Sequence, residues 1–252
     1  MKQNIFNGLF LFAVLFTACK KNEFRRDEYT QPTGNAFVKV GYFSPDTTNP
    51  GVQIYINNNR VSNTITNNTP FPGGGYNTGG STYNGYLAVT PGTATFRFVI
   101  PTTNTSIISK ELFTLTAPVT ANEQQVVYIT DTGVNRTAFT VKAETSRPDS
   151  GYVKMQFVNC IPNAGPISFY YKDSLVADRV PYKGFVDFKT LPLYVTTIKI
   201  YPSDSAVTDK TLINSYSFSG ISNQKVYTAI GRGFYKATNT QSAPKASLLI
   251  VK

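Results

Sequence analysis

The sequence predicts an all-β protein built as two tandem sandwiches, and three observations carry that expectation. Apolar and polar residues alternate with period two along short segments, which is the signal of half-buried strands. Turn residues punctuate those segments at the spacing of a sandwich. The stretch Val38 to Ser62 also returns 115 residues later, without a gap, as Val153 to Ala177. Only four of the 25 aligned positions are identical. The shared rhythm says more: a strand, a proline-containing loop, a second strand, a polar turn and a short apolar return.

Residues 1–18 read as a signal peptide. Lys2 supplies the positive start, and Ile5 to Phe16 form an apolar run broken by Asn7 and Gly8. That run has the length of a signal-peptide core, whereas a spanning helix needs roughly 20 residues. Phe16-Thr17-Ala18-Cys19 resembles the bacterial lipobox, in which the cysteine is acylated and becomes the mature amino terminus. Acyl chains on Cys19 would hold the protein at a bilayer, because each buried CH₂ contributes about 0.8 kcal/mol. Residues 19–35 lack apolar periodicity and read as a flexible, lipidated tether. The start Cys19-Lys20-Lys21-Asn22-Glu23 is similar to that of many lipoproteins of Bacteroidetes. It lacks the aspartate of an inner-membrane retention signal, so the expected location is the outer membrane, on its periplasmic or cell-surface face.

The chain carries 24 Lys and Arg against 14 Asp and Glu, with no histidine. Losing Lys2 with the signal leaves 23 against 14, a surplus of nine. Those cations are scattered singly, and only Lys20-Lys21 and Arg25-Arg26 adjoin. A stripe of the kind nucleic acid requires is absent, so no nucleic-acid partner is expected. Cys160 is the one cysteine beyond Cys19 and lies in an apolar setting, where it reads as a small buried side chain. With no histidine, neither zinc chemistry nor thiol activation is expected. No cofactor is called for, and no enzymatic activity.

In the first unit, residues 36–145, the strand faces are Val38, Val40 and Tyr42; Val52, Ile54 and Ile56; Phe96, Phe98 and Ile100; Val127 and Ile129; and Phe139 and Val141. In the second, residues 151–252, they are Val153, Met155 and Phe157; Ile167, Phe169 and Tyr171; Ile198 and Ile200; Val226, Thr228 and Ile230; and Leu248 and Ile250. Thr145 to Ser150 forms the boundary. Turns are expected at Pro45-Asp46, Pro91-Gly92, Pro118, Asn122, Pro162-Asn163, Asp173-Ser174 and Asn223. Later parts of the repeat pair Tyr86-Leu87 with Phe185-Val186, Phe96-Arg97-Phe98 with Ile198-Lys199-Ile200, and Val127-Tyr128 with Val226-Tyr227.

Phe37-Val38-Lys39-Val40, Ser44-Pro45-Asp46 and Val52-Gln53-Ile54-Tyr55-Ile56-Asn57-Asn58 together resemble the DUF4397 family. Its pattern is an apolar strand, a Ser-Pro-Asp loop, and a strand that runs into a polar turn. The resemblance implies immunoglobulin-like β-sandwiches in an exported bacterial protein with no established reaction. The second half departs from it, with Asn159-Cys160-Ile161 in place of the Ser-Pro-Asp triplet.

The halves differ most in the segment Asn63 to Asn84, which is rich in glycine and aromatics. Glycine and proline argue against a regular strand there, and a long loop on a rigid sandwich is where binding commonly sits. Phe71, Tyr76 and Tyr83 are the candidate ligand-binding residues, suited to stacking on sugar rings with Asn68 and Asn77 hydrogen-bonding beside them. The competing reading folds these aromatics back onto the sandwich. Gly73-Gly74-Gly75 lacks the lysine and helix of a phosphate loop. Asp131-Thr132-Gly133 reads as a turn, since its counterpart Ile230-Gly231-Arg232 offers no second carboxylate. Calcium would have only Asp46, or Asp204 with Asp209, to draw on, without the looped spacing it needs. Asp46-Thr47-Thr48, Asp173-Ser174-Leu175 and Asp204-Ser205-Ala206 resemble O-glycosylation sites in turns. The function expected is that of a non-enzymatic, lipid-anchored envelope protein acting as a structural or adhesive module. The alternative is a glycan-binding accessory lipoprotein of an uptake system. The partners are the membrane, through the lipid, and a glycan or another envelope protein.

Overall fold

The computed structural model describes residues 33–102, 110–193 and 197–252, so Cys19 and the tether before Thr33 lie outside the described residues. Thr33–Lys252 gathers into one compact unit. No helix among the described residues is long and apolar enough to cross a membrane.

The first half contributes β1 (Ala36–Tyr42), β2 (Gln53–Ile56), β3 (Asn59–Arg60), β4 (Thr69–Phe71), β5 (Gly75–Tyr76), β6 (Leu87–Val89), β7 (Gly92–Ile100), β8 (Lys110–Val119), β9 (Gln124–Thr130) and β10 (Thr137–Lys142). The second contributes β11 (Tyr152–Cys160), β12 (Ile167–Tyr171), β13 (Ser174–Val180), β14 (Phe185–Pro192), β15 (Thr197–Pro202), β16 (Asn214–Ser217), β17 (Val226–Arg232) and β18 (Lys245–Ile250). The chain is all-β, and the four sheets of the described residues come in two matching pairs. The order β3-β2-β7-β8 is repeated as β13-β12-β15-β16, and β10-β9-β1 followed by β4 and β6 is repeated as β18-β17-β11-β14. In both halves the first strand runs parallel to the next-to-last one. A duplication read from four identities in 25 positions thus reappears as a duplication of topology.

The register corrects two of the expected correspondences. Lys39 lies opposite Val126 and Lys154 opposite Val226, so Val126, not Val127, is the counterpart of Val226. Val38 lies opposite Leu87 and Val153 opposite Leu191, which makes Leu191 the counterpart of Leu87. Phe96 and Phe98 against Ile198 and Ile200 stand as expected, since Ile54 faces Phe98 as Phe169 faces Ile200.

Each sheet pair closes over its own core. Val38, Val40, Tyr42, Ile54, Phe96 and Phe98 fill the first, and Met155, Phe157, Phe169, Ile198, Ile200 and Leu248 fill the second. A third apolar cluster joins the halves: Phe43, Val126, Tyr128 and Val141 meet Val158, Cys160, Ile230 and Leu249. Phe139 and Val141 therefore face this seam and not the first core, and Ile230 faces it and not the second, whose residues from β17 are Tyr227 and Ala229; Val226 packs in a small separate cluster with Ala143 and Val251. For β17 the reason is double burial. Every residue of β17 is buried, and a strand covered on both sides carries no alternation to give its phase, while half-exposed β10 does alternate but turns its apolar face to the other half. Pro118, expected in a turn, sits near the end of β8 instead, at a sheet edge that tolerates its missing N–H.

Two cations are buried at the seam. Lys39 is fully buried, with its Nζ donating to Ile250 O at 2.7 Å and lying 5.1 Å from the centre of the Tyr86 ring. Burial lowers its pKa to about 7. Arg232 is held by Ser247, Asn68 and the carbonyl of Asn77, and burial lowers it to about 10. Cys160 is a free, buried thiol whose pKa burial pushes up, the opposite of an activated nucleophile.

Candidate functional site

The site begins with an interruption in one strand. In the second half β14 runs along β11 as one strand, with a single register shift between Met155 and Phe157. In the first, Phe71 lies opposite Val40 and Leu87 opposite Val38, yet residues 72–86 intervene where an unbroken strand would place one residue. That excursion leaves β4, crosses to the other half and returns as β6. Its middle, Gly75–Tyr76, adds antiparallel to β18 as an edge strand of the second half's sheet. The expectation that glycine bars a strand here is corrected by contact geometry. A Cβ on Gly75 would lie 1.7 Å from Leu248 O, so only glycine lets the two backbones come close enough to pair.

Side chains lock the crossing. Tyr76 Oη donates to Gly220 O at 2.6 Å, and its ring packs against Phe218 and Tyr227, with centroids 6.3 Å away in each case. Asn77 Nδ2 donates to Ala246 O at 2.7 Å. Arg232 reaches back to Asn68 Oδ1 and to Asn77 O, both at 2.6 Å. Asn68 and Asn77, expected to serve a ligand, serve this crossing.

The three aromatics proposed from sequence are therefore not one platform. Phe71 packs against the first core. Tyr76 packs against the second, and Tyr83 remains 62% exposed. Tyr76 and Tyr83 still meet along a groove of about 290 Å³, completed by Asn84 and, from the second half, Ser222, Lys225 and Tyr227. The Tyr83 ring lies across Gly85, where a Cβ would come within 2.1 Å of it, so glycine makes the room the ring occupies. The Ser222 N–H donates to Tyr227 Oη at 2.9 Å, which fixes the floor. One cation and no carboxylate line the groove. Nothing in the linear sequence marks Ser222, Lys225 or Tyr227, because they join the site only through the β5–β18 pairing.

The family-like loop is structural. Arg136 Nη2 holds both Asp46 oxygens, at 2.9 and 2.7 Å, and its Nε donates to Ser44 Oγ at 3.0 Å. The Arg136 guanidinium also stacks over Phe113 at 4.0 Å. Asn67 Nδ2 donates to the carbonyls of Ser44 and Asp46. Of the other acidic groups named for calcium, Asp204 pairs with Arg179, and no cluster of metal-binding side chains forms among the described residues. Asp131 has a positive φ and accepts from the Thr132 N–H, ahead of a single 3₁₀ turn at Gly133–Asn135, the turn expected there. Of the three glycosylation-like triplets, Thr47, Thr48 and Ser174 are exposed and Ser205 is half-buried.

A larger groove, about 480 Å³, opens at the seam between Lys142–Glu144 and Phe185–Phe188. The N–H groups of Ser146 and Thr145, together with Lys154, hold the Glu144 carboxyl below its ordinary range, so it stays an ionised carboxylate there.

No curated protein matches the chain. Among solved structures, a leucine-rich repeat protein from Bacteroides thetaiotaomicron aligns at 12% identity over 78% of this chain and 26% of its own, with a TM-score of 0.20. A superposition of that quality relates neither fold nor function, and the alignment takes up about a quarter of that protein. The domain of unknown function DUF4397 matches residues 36–170, from β1 through the first four residues of β12. That match covers more than half of the chain, and with the Ser44-Pro45-Asp46 loop in place after β1 the protein belongs to the DUF4397 family.

Proposed function

We propose that this protein is a non-enzymatic module of the bacterial cell envelope, anchored in the outer membrane through acylated Cys19 and acting by contact with a partner. The two halves serve as immunoglobulin-like sandwiches fused into one rigid carrier. The observation behind this reading is Tyr83. It is a large aromatic side chain outside every apolar cluster, resting over Gly85 and turned to solvent at the join of the halves. Tyrosines are among the commonest anchors of contact surfaces. Labelling cells with an alkyne-bearing palmitate tests the anchor: the chain takes up label, and Cys19→Ser abolishes both label and membrane retention. A deletion strain tests the role. Cell aggregation or envelope integrity should fall, and the wild-type gene should restore it while the Cys19→Ser gene does not.

A second reading, the glycan-binding accessory lipoprotein, is favoured by the composition of the groove. An aromatic face beside Asn84, Ser222 and Lys225 suits a sugar, which presents an apolar ring face and a rim of hydroxyls. Retention on polysaccharide gels that is lost in Tyr83→Ala would support it. An absence of retention across a broad panel leaves the structural role.

A further inference from the structure

We infer that the groove between Tyr83 and Lys225 recognises an acidic saccharide, a sugar carrying a carboxylate such as a uronic acid; the inference rests on the glycan reading above. Two features of the groove separate an acidic sugar from a neutral one. Lys225 is the one charged group on its walls, and no carboxylate lines it to neutralise the ammonium. Among the described residues no acidic side chain lies within ion-pair distance of Lys225, unlike Lys142, Lys154 and Lys199, which each pair with one. The lysine is also half-buried, so its charge meets a ligand under less screening than a free surface cation would.

The rest of the groove supplies the sugar-binding chemistry. Tyr83 rests over Gly85, a position with no side chain, and offers a flat, exposed apolar face on which a pyranose can stack. Asn84 presents a short amide, and the Ser222 hydroxyl, which donates to Gly220 O at 3.3 Å, keeps lone pairs to accept from a sugar hydroxyl. Tyr76 Oη donates to Gly220 O and Tyr227 Oη accepts from the Ser222 N–H, which sets both rings in the floor of the groove. At about 290 Å³ the groove lies at the lower bound of small-ligand sites, which fits a recognition of sugar units one at a time along a chain.

The test is calorimetric titration of the full chain in detergent with an oligogalacturonate and, in parallel, a neutral galacto-oligosaccharide of the same length. The acidic ligand should bind more tightly, and raising the salt should narrow the gap. Lys225→Gln should weaken the acidic ligand roughly tenfold, the scale of a lost charge-assisted hydrogen bond, and leave the neutral one unchanged. Tyr83→Ala should weaken both. Both substitutions lie outside the cores, so loss of fold does not confuse the result. Equal binding of the two ligands, or an acidic preference that survives Lys225→Gln, overturns the inference and leaves the glycan reading intact. No binding of either, in the wild-type chain, overturns both.

Discussion

In the first unit the chain leaving β1 turns on an ion pair; in the second the same turn hangs on an amide. Ser44 and Asn159 occupy corresponding positions. Ser44 and Asp46 bind the nearly buried Arg136 guanidinium. Asn159 is wholly buried, donates to the carbonyls of Gly165 and Val180, and accepts from the Ile161 N–H at 2.8 Å. Asn159 satisfies backbone groups of the loop directly, whereas in the first unit Asn67 takes the carbonyls of Ser44 and Asp46 and the ion pair fixes the side chains. The two loops differ in what failure costs. A neutral amide leaves neutral orphans when removed, whereas removing half an ion pair leaves a charge.

The largest effect should therefore come from Asp46→Ala. Stranding a buried charge costs about 3–5 kcal/mol, and the 17% exposure of the Asp46 side chain brings the expectation to roughly 2–4 kcal/mol. Asn159→Ala should cost less, about 1–3 kcal/mol. Urea unfolding of the two variants ranks them, and the reverse order would break the contrast drawn between the loops.

Lys39 and Lys154 form a second matched pair with unlike surroundings. Lys154 has Ser146 and Glu144 beside it, whereas Lys39 has a carbonyl and a ring face. Native Lys39 gives up its proton near pH 7, and the unfolded chain does so near 10.5. Between those values the unfolded state binds more protons, so stability should rise with pH across that window, by a few kcal/mol at most. Below about pH 7 both states are protonated and the full burial penalty applies. Lys39→Met should flatten the curve and raise stability at neutral pH. Lys154→Met should change it by under about 1 kcal/mol. Thermal melts from pH 6 to 10.5 would show both outcomes.

The crossing has no counterpart in the second half, and Gly75→Ala attacks it alone. With no space for a Cβ against Leu248 O, β5 should detach from β18 at a cost of roughly 2 kcal/mol. Hydrogen exchange should then speed up at Leu248 to Ile250 and stay unchanged in β7. Protection retained at β18 would mean that side chains, not backbone pairing, hold the crossing.

These contrasts also mark what a sequence can reveal. Where one sheet face is wet, as in β2 and β7, the alternation of Ile54 with Ile56 and of Phe96 with Phe98 gave the right core. Where both faces are covered, as in β17, the phase of Val226 could not be read, since either side of the strand is apolar, whereas β10 alternates plainly and only the partner of its Phe139 face, the other half, is hidden from the sequence. The buried cations were equally hidden, because Lys39 sits in a run, Phe37 to Tyr42, that looks like any half-exposed strand. The groove was legible in part. Tyr76 and Tyr83 stand out as aromatics in a glycine-rich stretch, but Lys225 lies 142 positions beyond Tyr83 and reaches it only through a strand pair two residues long. Pairings that short leave no pattern in composition.

The smallest effect is expected from Tyr76→Phe, and it separates two ways of holding the halves together. The hydroxyl donates to Gly220 O at 2.6 Å, but at an exposed position where water can replace it, so its loss should cost only about 0.5–1 kcal/mol. The ring stays against Phe218 and Tyr227 in the variant and still closes the flank of the second core. Tyr76→Ala removes that cover too and should cost roughly 2 kcal/mol more, within the lower range for deleting a buried aromatic. If the phenylalanine variant instead loses as much as the alanine one, the hydrogen bond to Gly220 carries the join. The two halves would then be coupled through the turn at Gly220 and not through a shared apolar surface. Paired urea curves on the two variants decide it, because a change confined to the midpoint reports lost contacts, while a lower slope reports halves that have begun to unfold separately.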